Sequence, residues 1–148
     1  MKQLFLFAFV LLLAPFGLQA QILQPVHWQY SKQKMGDHQY IVHLKATIDP
    51  GWHIYAQDAG EGPVPTRFTF AENDKLVFKG KTRAVGKLHK TFDKAFNSVL
   101  QYYEDSVDFV QYVEAKAGAS AVEGTLEFMV CNDEQCLPPK EMAFKIAL

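Results

Sequence analysis

Apolar and polar residues alternate with period two along several stretches of the chain. Val26, Trp28 and Tyr30 share one face, with His27 and Gln29 between them. Tyr40, Val42, Leu44, Ala46 and Ile48 repeat the pattern over His43, Lys45 and Thr47. Such alternation predicts half-buried strands. Met35-Gly36-Asp37 supplies turn chemistry between these two, so they read as a hairpin. Asp49-Pro50-Gly51 is a second turn, followed by Trp52-His53-Ile54-Tyr55. Gly60-Glu61-Gly62-Pro63-Val64-Pro65 cannot hold a regular ladder, because proline lacks a donor and glycine leaves the backbone loose. Arg67–Phe70 and Leu76–Phe78 read as short strands around Glu72-Asn73-Asp74. From Lys87 to Asn97 the pattern fades. Phe92 and Phe96 suit one helical turn or a loop carrying exposed aromatics. Val107 to Val113, Leu126 to Val130 and Met142 to Leu148 predict further strands. Many short strands, frequent turns and no long helical period predict an all-β chain, and specifically a β-sandwich.

The first residues break this pattern. Met1-Lys2-Gln3 precedes an apolar run from Leu4 to Leu13, and Leu18-Gln19-Ala20 ends in a small residue. That is the layout of a secretory signal peptide, too short for a comfortable membrane span. It predicts a leader over residues 1–20, one domain over 21–148 and no membrane span in the exported chain. Composition adds exclusions. Lysine and arginine total 15 against 16 acids, with no basic block, so nucleic acid is not an expected partner. Twelve phenylalanines supply a core and argue against disorder.

The chain has 2 cysteines, Cys131 and Cys136. Export would place them where a disulfide persists. A domain of this size does not need a staple to fold. The stretch Cys131-Asn132-Asp133-Glu134-Gln135-Cys136-Leu137-Pro138-Pro139 lies between predicted strands, so the cysteines sit at the stems of a hairpin-like loop, within disulfide reach. Asp133 and Glu134 beside the pair would raise the thiol pKa, since a thiolate is disfavoured near carboxylates. The pair therefore suits attack by a partner's thiolate. Spacing alone leaves a plain structural staple equally open. Zinc would need ligands beyond two sulfurs, and the scattered histidines show no metal spacing, so no metal or other cofactor is expected.

The element Cys131-Asn-Asp-Glu-Gln-Cys136-Leu-Pro-Pro139 resembles the N-terminal periplasmic domain of the thiol:disulfide interchange protein DsbD. Pro50-Gly51-Trp52-His53-Ile54-Tyr55 resembles that family's Gly-aromatic-aromatic-Leu-Tyr segment, and Phe92-Asp93-Lys94-Ala95-Phe96 its cap loop. The resemblance implies an immunoglobulin-like β-sandwich that passes electrons from a thioredoxin-like donor to exported, disulfide-bearing acceptors in the periplasm. It implies that Cys131 and Cys136 are the redox pair, with Cys136 the partner of the interchain bond. Phe96 would be the cap aromatic, Phe92 the alternative, and His53 and Tyr55 the lining; Asp133 and Glu134 would tune the thiols. Two departures stand out. The best-known members have one more residue between the cysteines. Their cap loop carries two adjacent acids, where this chain has Asp93-Lys94 or Lys94-Ala95. The family's membrane and thioredoxin-like domains are not in this chain, so the donor would be a separate protein. A competing reading is a secreted binding module with a structural disulfide, holding a peptide or glycan by the Gly60–Pro65 loop and its aromatic neighbours.

Overall fold

The computed structural model describes residues 23–148, and the expected leader lies outside them. Strand β1 (Val26–Gly36) and strand β2 (Gln39–Ile48) form the expected hairpin. Their pairing runs from Val26 opposite Ile48 to Gly36 opposite Gln39. The turn falls at Asp37-His38, where His38 takes a left-handed φ of 62°.

Strand β3 (His53–Tyr55) follows the turn at Gly51, and β4 (Arg67–Phe70) follows the Gly/Pro loop. Strands β5 (Leu76–Asp93) and β6 (Ser98–Ala115) make a long hairpin. Strands β7 (Ala121–Phe128), β8 (Val130–Cys131) and β9 (Lys140–Ala147) complete the chain. Every named element among the described residues is a strand. The larger sheet has the order β1-β2-β6-β3-β8, with β5 on the other side of β6, and the smaller is β4-β7-β9. The fold is an immunoglobulin-like β-sandwich.

β6 organises the larger sheet. Ser106 to Glu114 pair with β2, whereas Tyr102 and Tyr103 pair with β3. The handover falls at Asp105, whose φ of 59° marks an irregularity, as at a bulge that redirects a strand. The same point shows as a register shift between Gly86 and Leu88 on β5. One half of the sheet thus serves the core, and the other reaches past it towards the cysteines.

Alternation places Val42, Leu44, Ala46, Val107, Phe109 and Val113 on the inner face, opposite Val122, Leu126, Phe128, Phe144 and Ile146. All are buried. Trp28 ties the layers together, with ring centroids 6.2, 6.0 and 5.5 Å from Phe68, Phe109 and Phe128.

Two local expectations need correction. Lys87 to Asp93 is neither a helical turn nor a loop but the outer half of β5. Between Lys87 and Asp93 only His89 and Asp93 are half-buried and the rest are exposed, so no apolar period of two marks this stretch as a strand. Gln111 accommodates the register shift after Lys79. It is 2 % exposed, and its amide donates to the carbonyls of Lys79 and Tyr112 at 3.0 Å each. Its oxygen accepts from the Thr82 hydroxyl at 2.9 Å. β4 and the start of β5 flank the Glu72-Asn73-Asp74 turn as expected, and they take different partners: β4 joins β7, and β5 joins β6. Second, the strand entering Cys131 is broken at Met129. β7 belongs to the smaller sheet, while Val130 and Cys131 cross to pair with Ile54 and His53.

Candidate functional site

The crossing at Met129 brings Cys131 to the edge of the larger sheet, beside β3. The chain then reverses tightly. Asn132 N donates to the Gln135 carbonyl and Leu137 N to the Val130 carbonyl, both at 2.9 Å. The Asn132 side chain builds the turn, its Oδ1 accepting from the backbone N–H groups of Glu134 at 2.9 Å and Gln135 at 2.8 Å. Asparagine favours such local bonds. Cys131 and Cys136 face each other across the small ladder, with Cα atoms 4.0 Å apart, and are joined by a disulfide. That closeness belongs to a directly opposed, non-hydrogen-bonded antiparallel pair. The two cysteines differ in access. Cys131 is 1 % exposed, whereas Cys136, like Asp133 and Glu134 at the turn's tip, is exposed.

β3 supplies the next two side chains. Tyr55, buried, donates its hydroxyl to Cys131 Sγ at 3.4 Å. His53 Nε2 lies 3.5 Å from the same hydroxyl. With its hydrogen directed at sulfur, the Tyr55 oxygen is left to accept. Burial raises the Tyr55 pKa, with Asp93 and Tyr102 adding to it. Burial lowers that of His53, against the opposing pull of Glu104, Asp133 and Asp93. Near neutral pH the site therefore holds a protonated phenol and a neutral imidazole.

The tip of the β5–β6 hairpin closes the cleft. Asp93 and Ser98 are the last opposed residues, and Lys94 to Asn97 form the turn. The Asp93 carboxylate accepts from Ala95 N at 2.7 Å and Phe96 N at 3.1 Å, and Asn97 takes a φ of 50°. This geometry turns the Phe96 ring inward, where it packs on the small cluster of Tyr55, Ala59, Leu100 and Cys131. A cleft of about 430 Å³ results, lined by His53, Tyr55, Phe96, the disulfide and the Cys131–Cys136 turn.

The structure therefore brings together Cys131, Cys136, His53, Tyr55, Phe96, Asp133 and Glu134. Phe92 stands apart. It pairs with Val99, does not line the cleft and is 55 % exposed. Tyr102 was not legible in the sequence. Its ring centroid lies 4.6 Å from that of His53 and 5.4 Å from that of His89. Its position depends on pairing with Tyr55 from a distant strand, which no local pattern announces. The bonds of Asp93 and Asn132 were the more detectable, since Asx residues before a tight turn commonly cap it. The Gly60–Pro65 loop lies against this same hairpin, with Pro63 buried. Among the described residues, no group of three or more His, Cys, Asp or Glu side chains gathers to hold a metal ion. No helix among them is long and apolar enough to cross a membrane.

Residues 19–148 match the family described as thiol:disulfide interchange protein DsbD, N-terminal. No curated protein matches the chain. Among solved structures, the Neisseria meningitidis DsbD N-terminal domain in the reduced form is similar at 19% identity and a TM-score of 0.53, over 81% of this chain and 84% of that one. The same organism's DsbD N-terminal domain, solved in complex with the PilB N-terminal domain, is similar at 18% identity and a TM-score of 0.55, over 84% and 87%. The N-terminal periplasmic domain of ScsB from Proteus mirabilis is similar at 16% identity and a TM-score of 0.55. That match covers 84% of this chain, which spans about half (48%) of the ScsB chain. At these identities the likeness establishes the fold.

Proposed function

The chain belongs to the family of N-terminal domains of the thiol:disulfide interchange protein DsbD, and from that premise we propose that it relays electrons in the periplasm between a thioredoxin-like donor and disulfide-bearing acceptor proteins. Residues 1–20 would direct its export. The observation that carries the reading is the unequal access to the two sulfurs, Cys131 buried and Cys136 exposed.

In the oxidised domain, a donor thiolate attacks Cys136 Sγ. The bond between the cysteines breaks, and its electron pair leaves on Cys131 Sγ. The Tyr55 hydroxyl, already directed at that sulfur, stabilises the thiolate before it takes up a proton. The donor's second thiolate then attacks its own sulfur in the mixed disulfide and releases Cys136. Two electrons have moved, the donor is oxidised and the domain is a dithiol. In the second half, Cys136 attacks an acceptor disulfide. Cys131 then resolves the mixed species, re-forming the internal bond and leaving the acceptor reduced. Asp133 and Glu134 favour protonated thiols, which suits a pair that waits for a partner.

Trapping tests this reading. Cys131→Ser leaves Cys136 free and is expected to accumulate a mixed disulfide with an exported thioredoxin-like protein. Cys136→Ser, keeping only the buried sulfur, is expected to trap far less. Equal capture by both variants, or by neither, would remove the proposal's support. The reduction potential is an independent check. Structural bonds lie below about −300 mV, and the relay requires a clearly higher value.

A further inference from the structure

Gly62 lies against the Phe96 ring, which lines the cleft. Gly62 has a φ of +119°, a conformation that L side chains rarely adopt. A Cβ built on it would stand 2.1 Å from Phe96 Cδ1, 2.7 Å from Cγ and 2.9 Å from Cε1. The ring therefore occupies the space that any side chain at this position would need. Gly60 differs, because a Cβ there would meet the Val99 carbonyl oxygen at 2.3 Å, which is backbone. At Gly60 the main chain is in the way; at Gly62 it is the cap itself.

The segment carrying Gly62 is fastened to the strand that carries the cap. Ala56 N donates to the Gln101 carbonyl at 2.9 Å, and Gln101 N donates to the Ala59 carbonyl at 3.0 Å. Glu61 N donates to Ser98 Oγ at 3.2 Å. These bonds extend the β3–β6 pairing to the root of the Lys94–Asn97 turn. The segment is thus a fixed wall, and the ring sits on a short turn at a hairpin end, so displacement falls on the ring.

We propose that Gly62 is a positioning residue that seats Phe96 over the disulfide, so that the Gly60–Pro65 loop sets how often the cleft is open. The inference rests on the exchange reading above and extends it to a loop that the reaction itself does not use. A cap that must lift before attack keeps the reactive form a minority, commonly 0.1–10 % of molecules. Unseating it raises the rate of attack by the inverse of that fraction.

The test is the rate at which dithiothreitol reduces the oxidised protein, a reagent that needs no protein docking. Phe96→Ala is expected to accelerate reduction by about tenfold or more. Gly62→Ala is expected to accelerate it comparably, and the double variant to match Phe96→Ala alone. The backbone strain at φ +119° is present in both backgrounds, so it cancels in this comparison. Acceleration by Phe96→Ala with none by Gly62→Ala overturns the seat and leaves the cap standing. No acceleration by Phe96→Ala overturns both. A further gain from Gly62→Ala in the Phe96→Ala background also overturns the seat. Should Gly62→Ala not fold, proton NMR of the unaltered protein decides. The Gly62 Hα resonances should show a ring-current shift that Phe96→Leu abolishes, and unshifted resonances refute the contact.

Discussion

Tyr55 and His53 stand two residues apart on one short strand, yet burial moves their titrations in opposite directions. Tyr55 is held as a phenol, so its hydrogen stays available to Cys131. Tyr55→Phe keeps the ring and removes that bond, worth about 1 kcal/mol for an ordinary hydrogen bond and more to a thiolate. The expected result is a roughly fivefold or greater slowing of disulfide reduction with the fold intact, read by stopped-flow kinetics beside a denaturant melt. His53 is pushed below its ordinary value of 6.5. Between the lowered value and 6.5 the unfolded chain binds the proton better than the folded one. The stability linked to His53 is therefore complete above that window and is lost as pH falls through it. Between about pH 7.5 and 5, stability in urea should fall more steeply for the unaltered protein than for His53→Gln. Equal slopes would mean that the histidine is not held neutral. At this scale the sequence was informative where the cleft is built from local segments. The Cys131–Cys136 turn, His53, Tyr55 and Phe96 could be named from short segments. Tyr102 could not, because it reaches His53 only through the pairing of β3 with β6.

The β5–β6 hairpin joins core to cleft, its two ends facing different surroundings. One end lines the sandwich through Phe109 and Val113, and the other carries Phe96 against the small cluster that holds Cys131. The register shifts on β5 make both possible, and the first depends on Gln111 to satisfy the carbonyl at Lys79. Gln111→Leu removes that donor and leaves buried acceptors without partners, a loss of roughly 1–3 kcal/mol. Chemical denaturation should show it, and little change would mean that the bulge relaxes to let water in. β5 was poorly legible because its outer half, Leu88 to Asp93, pairs regularly but buries little, so no apolar alternation marks it. β1, β2 and β9 keep their register over the core and were read directly from their alternation.

For the whole molecule, the two-layer core does not include the disulfide. Trp28 and the phenylalanines around it bind the sheets, and Cys131 lies in a separate small cluster, with Cys136 exposed. The closed loop is short, with a sequence separation of 5, so its entropic contribution is about 2 kcal/mol. The Cys131→Ser/Cys136→Ser protein should fold and lose about that much in a urea melt, as suits a domain that must hold its shape in both redox states. The sandwich class was legible because strand count and turn spacing follow from composition and pattern. The division of strands between sheets was not, because the crossing at Met129 and the separate partners of β4 and β5 are set by tertiary packing. One exposed sulfur also has a consequence for traffic. If the chain relays electrons as proposed and Cys136 is the sole point of entry, donor and acceptor compete for a single berth and never occupy it together. Turnover would then be ping-pong with mutual inhibition. At fixed donor, flux should rise with acceptor, peak, and fall as acceptor blocks the donor's landing, so the domain would limit its own throughput when clients outnumber suppliers.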